Sequence, residues 1–134
     1  MAKRTWSGSC HCGAVKFHAD LDLAQAGSFR CNCSICFKSR AWLAPVPAAD
    51  FRLIEGESSL QDYQFGKKRL HHYFCKQCGV RPFSRGTDPK GNPMYAVRVN
   101  CLDGVDAQAL VDMPVKYFDM RHDKLEPPAE TRYL

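Results

Sequence analysis

Eight cysteines in 134 residues are the chemistry-bearing feature of this chain. Seven fall into tight groups, Cys10-X-Cys12, Cys31-X-Cys33-X-X-Cys36 and Cys75-X-X-Cys78, with Cys101 standing apart. Thiolates at this spacing suit a tetrahedral zinc ion, because a Cys-X-X-Cys turn lets two sulfurs reach one metal. Gly13 and Gly79 directly follow Cys12 and Cys78, where the chain must reverse around an ion. Ligand type favours Zn²⁺ over iron, and seven sulfurs divide into four and three, so two Zn²⁺ per chain are expected. Cys31, Cys33 and Cys36 lie within six residues and suit one ion. That leaves Cys10, Cys12, Cys75 and Cys78 to clamp distant parts of the chain in a closed, structural site. A three-thiolate site has one position open to water or substrate, the arrangement of a catalytic ion.

Cysteines in this number serve as disulfides in secreted domains and as metal ligands or catalytic groups in reducing compartments. The first eight residues, Met1-Ala2-Lys3-Arg4-Thr5-Trp6-Ser7-Gly8, have positive charge but no apolar run behind it, so no secretory leader is expected. The longest weakly polar stretch, Ala41 to Ala49, has nine residues and two prolines, against the roughly 20 residues of a spanning helix. The expectation is a soluble, cytoplasmic protein with no membrane partner and reduced thiols. Neighbouring Cys-X-Cys pairs also bridge poorly to one another, and a redox Cys-X-X-Cys would need a thioredoxin-like βαβ context that the sequence lacks. The formal net charge of +5 hints at an anionic partner. Seven thiolates and two divalent ions lower it to about +2. The basic triplet Lys67-Lys68-Arg69 sits beside an expected turn and reads as a solvated loop. Nucleic acid is the least favoured partner, because Cys31 to Cys36 carries no basic side chain.

The elements that must hold these groups read mostly as short strands separated by turns. Ala14 to His18 alternates, as a half-buried strand does. Ala41 to Val46, Phe51 to Ile54 and Leu70 to Phe74 are further strands. Met94 to Val99 is the clearest, with Tyr95, Val97 and Val99 on one face. Ser34 to Lys38 suits a helical turn between ligands, and Asp106 to Leu110 a turn or two capped by Asp103 or Asp106. The tail from Glu126, with Pro127 and Pro128, reads as extended or partly disordered. The class is mainly β, with few short helical turns. Sheets this small need fastening, which metal supplies.

The remaining candidates weigh toward ordinary packing. Cys101 could be the unassigned fourth ligand of the second ion, but it continues the Tyr95-Val97-Val99 face and reads as a small buried thiol. Of His71 and His72, one is expected to pack and one to face solvent. His11 is expected to point away from the metal. Trp42 and Phe83 could line a pocket near the triplet, though aromatic core is the stronger reading. Asp103 is expected to cap a turn.

Three stretches, Ser9-Cys10-His11-Cys12-Gly13, Cys31-Asn32-Cys33-Ser34-Ile35-Cys36 and Phe74-Cys75-Lys76-Gln77-Cys78-Gly79, resemble the signatures of the glutathione-dependent formaldehyde-activating enzyme family, which includes centromere protein V. The resemblance extends through Tyr63-Gln64-Phe65-Gly66, Gly79-Val80-Arg81-Pro82-Phe83 and Val99-Asn100-Cys101-Leu102-Asp103-Gly104, and covers roughly Trp6 to Val115. It implies one zinc-binding domain over 1–134 with a core of about 6–115, and a β-tent of small antiparallel sheets around zinc. It also implies the same division of ligands, Cys10, Cys12, Cys75 and Cys78 as structural and Cys31, Cys33 and Cys36 as catalytic. The implied activity is that of a carbon–sulfur lyase, joining formaldehyde to the thiol of glutathione as S-hydroxymethylglutathione. A small thiol, with glutathione as possible co-substrate, and an aldehyde are then the partners. A substrate thiol would be held as thiolate, the nucleophile toward a carbonyl. Arg40, Lys38 or Arg81 could receive the two carboxylates of glutathione. The competing function is a non-enzymatic zinc-stabilised interaction module.

Overall fold

Ten strands and three short helices make up residues 3–134, the part of the chain that the computed structural model describes. β1 (Arg4–Ser9), β2 (Lys16–Leu21) and β5 (Phe51–Glu55) form an antiparallel sheet in the order β1-β2-β5. The remaining strands are β3 (Ser28–Cys31), β4 (Leu43–Pro47), β6 (Leu60–Tyr63), β7 (His71–Cys75), β8 (Phe83–Thr87), β9 (Pro93–Arg98) and β10 (Val115–Phe118). They form a second sheet in the order β10-β3-β4-β9-β8-β7-β6. Its pairs are antiparallel, apart from β10 with β3. The helices are α1 (Leu23–Ala26), α2 (Ser34–Ser39) and α3 (Ala107–Asp112). The chain is mainly β.

The core sits between the two sheets and is aromatic. β2 alternates strictly, burying Phe17, Ala19 and Leu21 while Lys16, His18 and Asp20 face outward. Phe51 stacks on Tyr95 at 3.9 Å and meets Phe83 edge-on at 4.7 Å. Phe17 touches both Phe51 and Phe83, at 5.5 and 5.7 Å. Strands β2, β5, β8 and β9 are thereby locked through one ring cluster, each contact adding roughly 0.5–1.5 kcal/mol beyond area burial. Arg52 and Thr5 hold the Asp20 carboxyl down at about 2, bracing the outward face of the small sheet across its three strands.

Local chemistry moves the element boundaries. The strand expected from Ala14 starts at Lys16, because residues 10–15 form a turn closed by Cys10 N–H to Val15 O at 3.1 Å. The strand expected from Ala41 starts at Leu43, because Arg40 closes α2 in the left-handed region at φ 48°. α1 forms where Asp22 accepts from the N–H groups of Ala24 and Gln25. α3 is capped by Asp106, which accepts from Gln108 N–H. Asp103 does not cap it: its carboxylate accepts from Ser9 Oγ at 2.8 Å and ties the turn after β9 back to β1. The stretch from Glu126 has no helix or strand, but it folds back so that Tyr133 meets Phe37 of α2 edge-on at 5.8 Å.

Gly8 faces Phe17 in the β1–β2 register, and a Cβ there would overlap the Phe17 ring. Gly8→Ala should destabilise the fold by about 1–3 kcal/mol in chemical denaturation, because the ring would have to leave its place between Phe51 and Phe83. An unchanged midpoint would show that the ring cluster is not the rigid centre described above.

Candidate functional site

The first cysteine group gathers from opposite ends of the fold. Cys10 and Cys12 lie in the turn after β1, Cys75 ends β7, and Cys78 follows in the next turn. Their sulfurs all lie within 4.8 Å of one another. The Cys10–Cys12 and Cys12–Cys75 sulfur separations are both 3.7 Å, and tetrahedral Zn–S bonds of 2.3 Å would set them about 3.8 Å apart. Backbone amides already serve these sulfurs: Val15 N–H points at Cys10 Sγ and Gln77 N–H at Cys75 Sγ, both at 3.3 Å. Gly79, at φ 78°, turns the chain so that its amide reaches Cys75 O at 2.8 Å. Cys75 is fully buried against the aromatic core. Cys10 is buried too, while Cys12 is exposed; spacing and donors fit a closed tetrathiolate centre.

The second group is local. Cys31 ends β3, Cys33 is the N-cap of α2, and Cys36 lies inside that helix. The three sulfurs lie within 4.8 Å, and Cys33 N–H points at Cys31 Sγ at 3.3 Å. Hydrogen bonds from Cys31 and Cys36 push the Cys33 thiol far down, while Cys31 and Cys36 are pushed up. Three thiolates need a cation among them, and the donor set fits a divalent ion such as zinc.

Asn32, between two of these cysteines, fixes the loop. It is 2% exposed. Its Nδ2 donates to Asp119 Oδ1 at 2.7 Å, and its Oδ1 accepts from Arg121 N–H at 2.9 Å. His122 also contacts the Asp119 carboxylate, and the Asn32 hydrogen bond is the main cause that lowers that carboxyl. The segment after β10 therefore holds the triplet loop in place. Asn32 was not singled out from the sequence, because the partner it needs is 87 residues away.

The triplet opens on a cleft of about 460 Å³ over the large sheet. Met94, Ala96 and Arg98 of β9 line it, opposite the core face of Tyr95 and Val97. Arg81, Arg85 and Arg98 all line the cleft. Arg98 donates to Ser39 O and Ser39 Oγ at 3.3 and 3.0 Å, and Ser39 Oγ donates to Ile35 O at 2.6 Å. The guanidinium is thereby held at the end of α2, close enough to Cys36 to feel its charge. His72 also lines the cleft, stacks on Phe65 at 5.5 Å, and is pushed below 6.5 by burial and by Arg81.

The other candidates fall elsewhere. Lys38 does not line the cleft, and Arg40 borders a separate small depression with Tyr133. Cys31 and Cys36 border that same depression, so Arg40 stays beside the triplet, while Arg98 reaches it from the cleft side. Strand alternation carries the signal for Arg98, which sits out of phase with Tyr95 and Val97. Phe83 is core and cleft wall at once. Trp42 lies outside the cleft, its Nε1 donating to Ser28 Oγ at 2.7 Å. His71 and His72 are both half-buried, and His71 pairs with Asp62 at 2.6 Å. His11 is exposed, as are Lys67, Lys68 and Arg69. Cys101 belongs to neither sulfur group; its thiol, pushed up to about 11 by burial, points at Arg81 O at 3.8 Å. Among the described residues no helix is long and apolar enough to cross a membrane.

Two sulfur clusters on a mainly β scaffold, one joining the two sheets and one beside a cleft, define a candidate zinc protein with a ligand site. The model of the glutathione-dependent formaldehyde-activating enzyme family matches residues 5–119, and this chain belongs to that family. The crystal structure of a Rhodobacter sphaeroides protein is similar over 82% of this chain and 99% of its own, at 34% identity and a TM-score of 0.69.

Asn32→Ala removes a buried side chain that makes hydrogen bonds on both of its polar atoms. It should lower stability by about 1–3 kcal/mol and release the triplet loop. Denaturant unfolding reads the first effect, and faster reaction of Cys31, Cys33 and Cys36 with a thiol reagent reads the second. Unchanged thiol accessibility would show that the loop is held without Asn32.

Proposed function

We propose that the protein is a zinc-dependent carbon–sulfur lyase acting on a small thiol and an aldehyde, with glutathione and formaldehyde as the family's reference pair. In this reading Cys10, Cys12, Cys75 and Cys78 hold a structural Zn²⁺, and Cys31, Cys33 and Cys36 hold a second at the reacting centre. One zinc-binding domain spans 1–134, in a reducing cytoplasm where thiolate ligands persist. The observation that carries the proposal is that the triplet lines a large cleft, which the four-sulfur group does not.

An ion held by three thiolates supplies an open position that favours ionisation of a thiol. The chain's own residues do the rest. The apolar walls exclude water from the nucleophile and the carbonyl. Arg98, braced by Ser39, offsets the negative charge gathered at the triplet. His72 is kept neutral by burial and is available to accept the thiol proton and return it to the carbonyl oxygen. A carbon–sulfur bond forms, the carbonyl π pair moves to oxygen, and that oxygen takes the proton. The reverse steps release thiol and aldehyde.

Serine substitutions separate the two sites. Cys75→Ser should unfold the protein or lower its Tm steeply, while Cys36→Ser should stay folded with half the zinc and form no hemithioacetal. Zinc content by elemental analysis, thermal melting and adduct mass spectrometry read these outcomes. Wild-type rates of adduct formation in Cys36→Ser would sink the catalytic assignment and leave an interaction module.

A further inference from the structure

We infer that the cleft selects a thiol with an apolar body and a single carboxylate, without an ammonium group, over glutathione; this rests on the thiol–aldehyde reading above. Formaldehyde occupies almost none of a 460 Å³ cleft, a volume in the range of sites that enclose drug-sized ligands. The space must serve the body of the thiol. Its walls include Phe29, Leu43, Phe65, Leu70, Met94 and Phe118, which gain by covering hydrocarbon and offer nothing to a peptide backbone.

The charges are one-sided. Arg81, Arg85 and Arg98 are among the residues that line the cleft and, among the described residues, no Asp or Glu is. Three thiolates around a divalent ion leave a charge of about −1, which Arg98 is placed to balance. Arg85 lies against the Tyr95 ring at 6.0 Å. Arg81 remains. One of its Nη atoms is buried and has no hydrogen-bond partner, although a buried donor without an acceptor costs about 1–3 kcal/mol, and more when charged. A carboxylate on the ligand would satisfy it and form a charge-assisted pair. Cys101 and Phe74 help to seat the residue: Cys101 Sγ points at its carbonyl, and Phe74 lies under its guanidinium at 5.5 Å.

Glutathione is the wrong shape of charge for these walls. Its ammonium would enter a cleft with no acidic side chain to receive it, and an ammonium buried without a partner is strongly disfavoured. Ser39 Oγ already donates to Ile35 O and accepts from Arg98. Arg81 acts here as a specificity-determining residue, reading the carboxylate while the apolar walls read the body.

The test uses the zinc-loaded full chain and three thiols: 3-phenyl-2-sulfanylpropanoate, its methyl ester and glutathione. Calorimetry should show the acid binding at least about tenfold tighter than the ester and than glutathione, the size expected for a hydrogen-bonded charge pair. Arg81→Gln should bring the acid down to the ester's affinity and leave the ester unchanged. Equal binding of acid and ester by the wild-type protein, or tighter binding of glutathione, would overturn the inference while leaving the thiol–aldehyde reading intact. That comparison needs no variant, so it stands even if Arg81→Gln fails to fold. Absence of binding by all three thiols would overturn the thiol reading itself.

Discussion

Sulfur atoms held 3.7 Å apart can all be thiolates only around a cation, since like charges at that range repel strongly even with solvent screening. Much of the molecule follows from satisfying this at two places. Around the four-sulfur group the turns after β1 and β7 must meet, which brings the small sheet against the large one and encloses the aromatic cluster of Phe17, Phe51, Phe83 and Tyr95. Amide donors from Val15 and Gln77 point at the sulfurs and would supplement an ion's charge there. Few of these strands have length or apolar content enough to stand alone, so an ion at the four sulfurs and the ring cluster would support each other.

The two sulfur groups differ in how they are held. The four-sulfur group is part of the core, with Cys75 fully buried and Cys10 nearly so. The triplet sits on a β3–α2 junction at the rim of a cleft and is secured by hydrogen bonds of Asn32, remote from the rings. The four-sulfur group ties core strands together and lines no part of that cleft, even though Cys12 is exposed; a site on a braced loop beside the cleft can be precise and still admit a ligand. Arg98 links the second site to the sheet, since the same β9 that contributes Tyr95 and Val97 to the core sends Arg98 to Ser39 at the end of α2.

Legibility in the sequence followed the range of the interactions. The ligand groups were visible because thiol spacing is local: Cys31, Cys33 and Cys36 span six residues, and any fold keeps them close. The Met94 strand was legible from the alternation that burial of one face enforces, and the Phe51 strand from a short run ended by Glu55-Gly56. β1, β6 and β8 were not, because their sequences RTWSGS, LQDY and FSRGT are polar and are held as strands by their partners. Asp103 was misread as a cap because its true partner, Ser9, is 94 residues distant. The cleft was hidden for the same reason. Arg81 and Arg98 come from different places in the chain and reach one cleft only through the β8–β9 pairing and the turn before it.

The one parallel pairing, β10 on β3, joins Phe118 to Cys31. It also fixes an order of events during synthesis. All four sulfurs of the first group have emerged once residue 78 is out, whereas β3 lacks its outer neighbour and Asn32 lacks Asp119 until residue 119 has followed. The first group can therefore gather its sulfurs on a nascent chain before the brace on the triplet exists. The fastening of the two sheets precedes that of the cleft-side sulfurs.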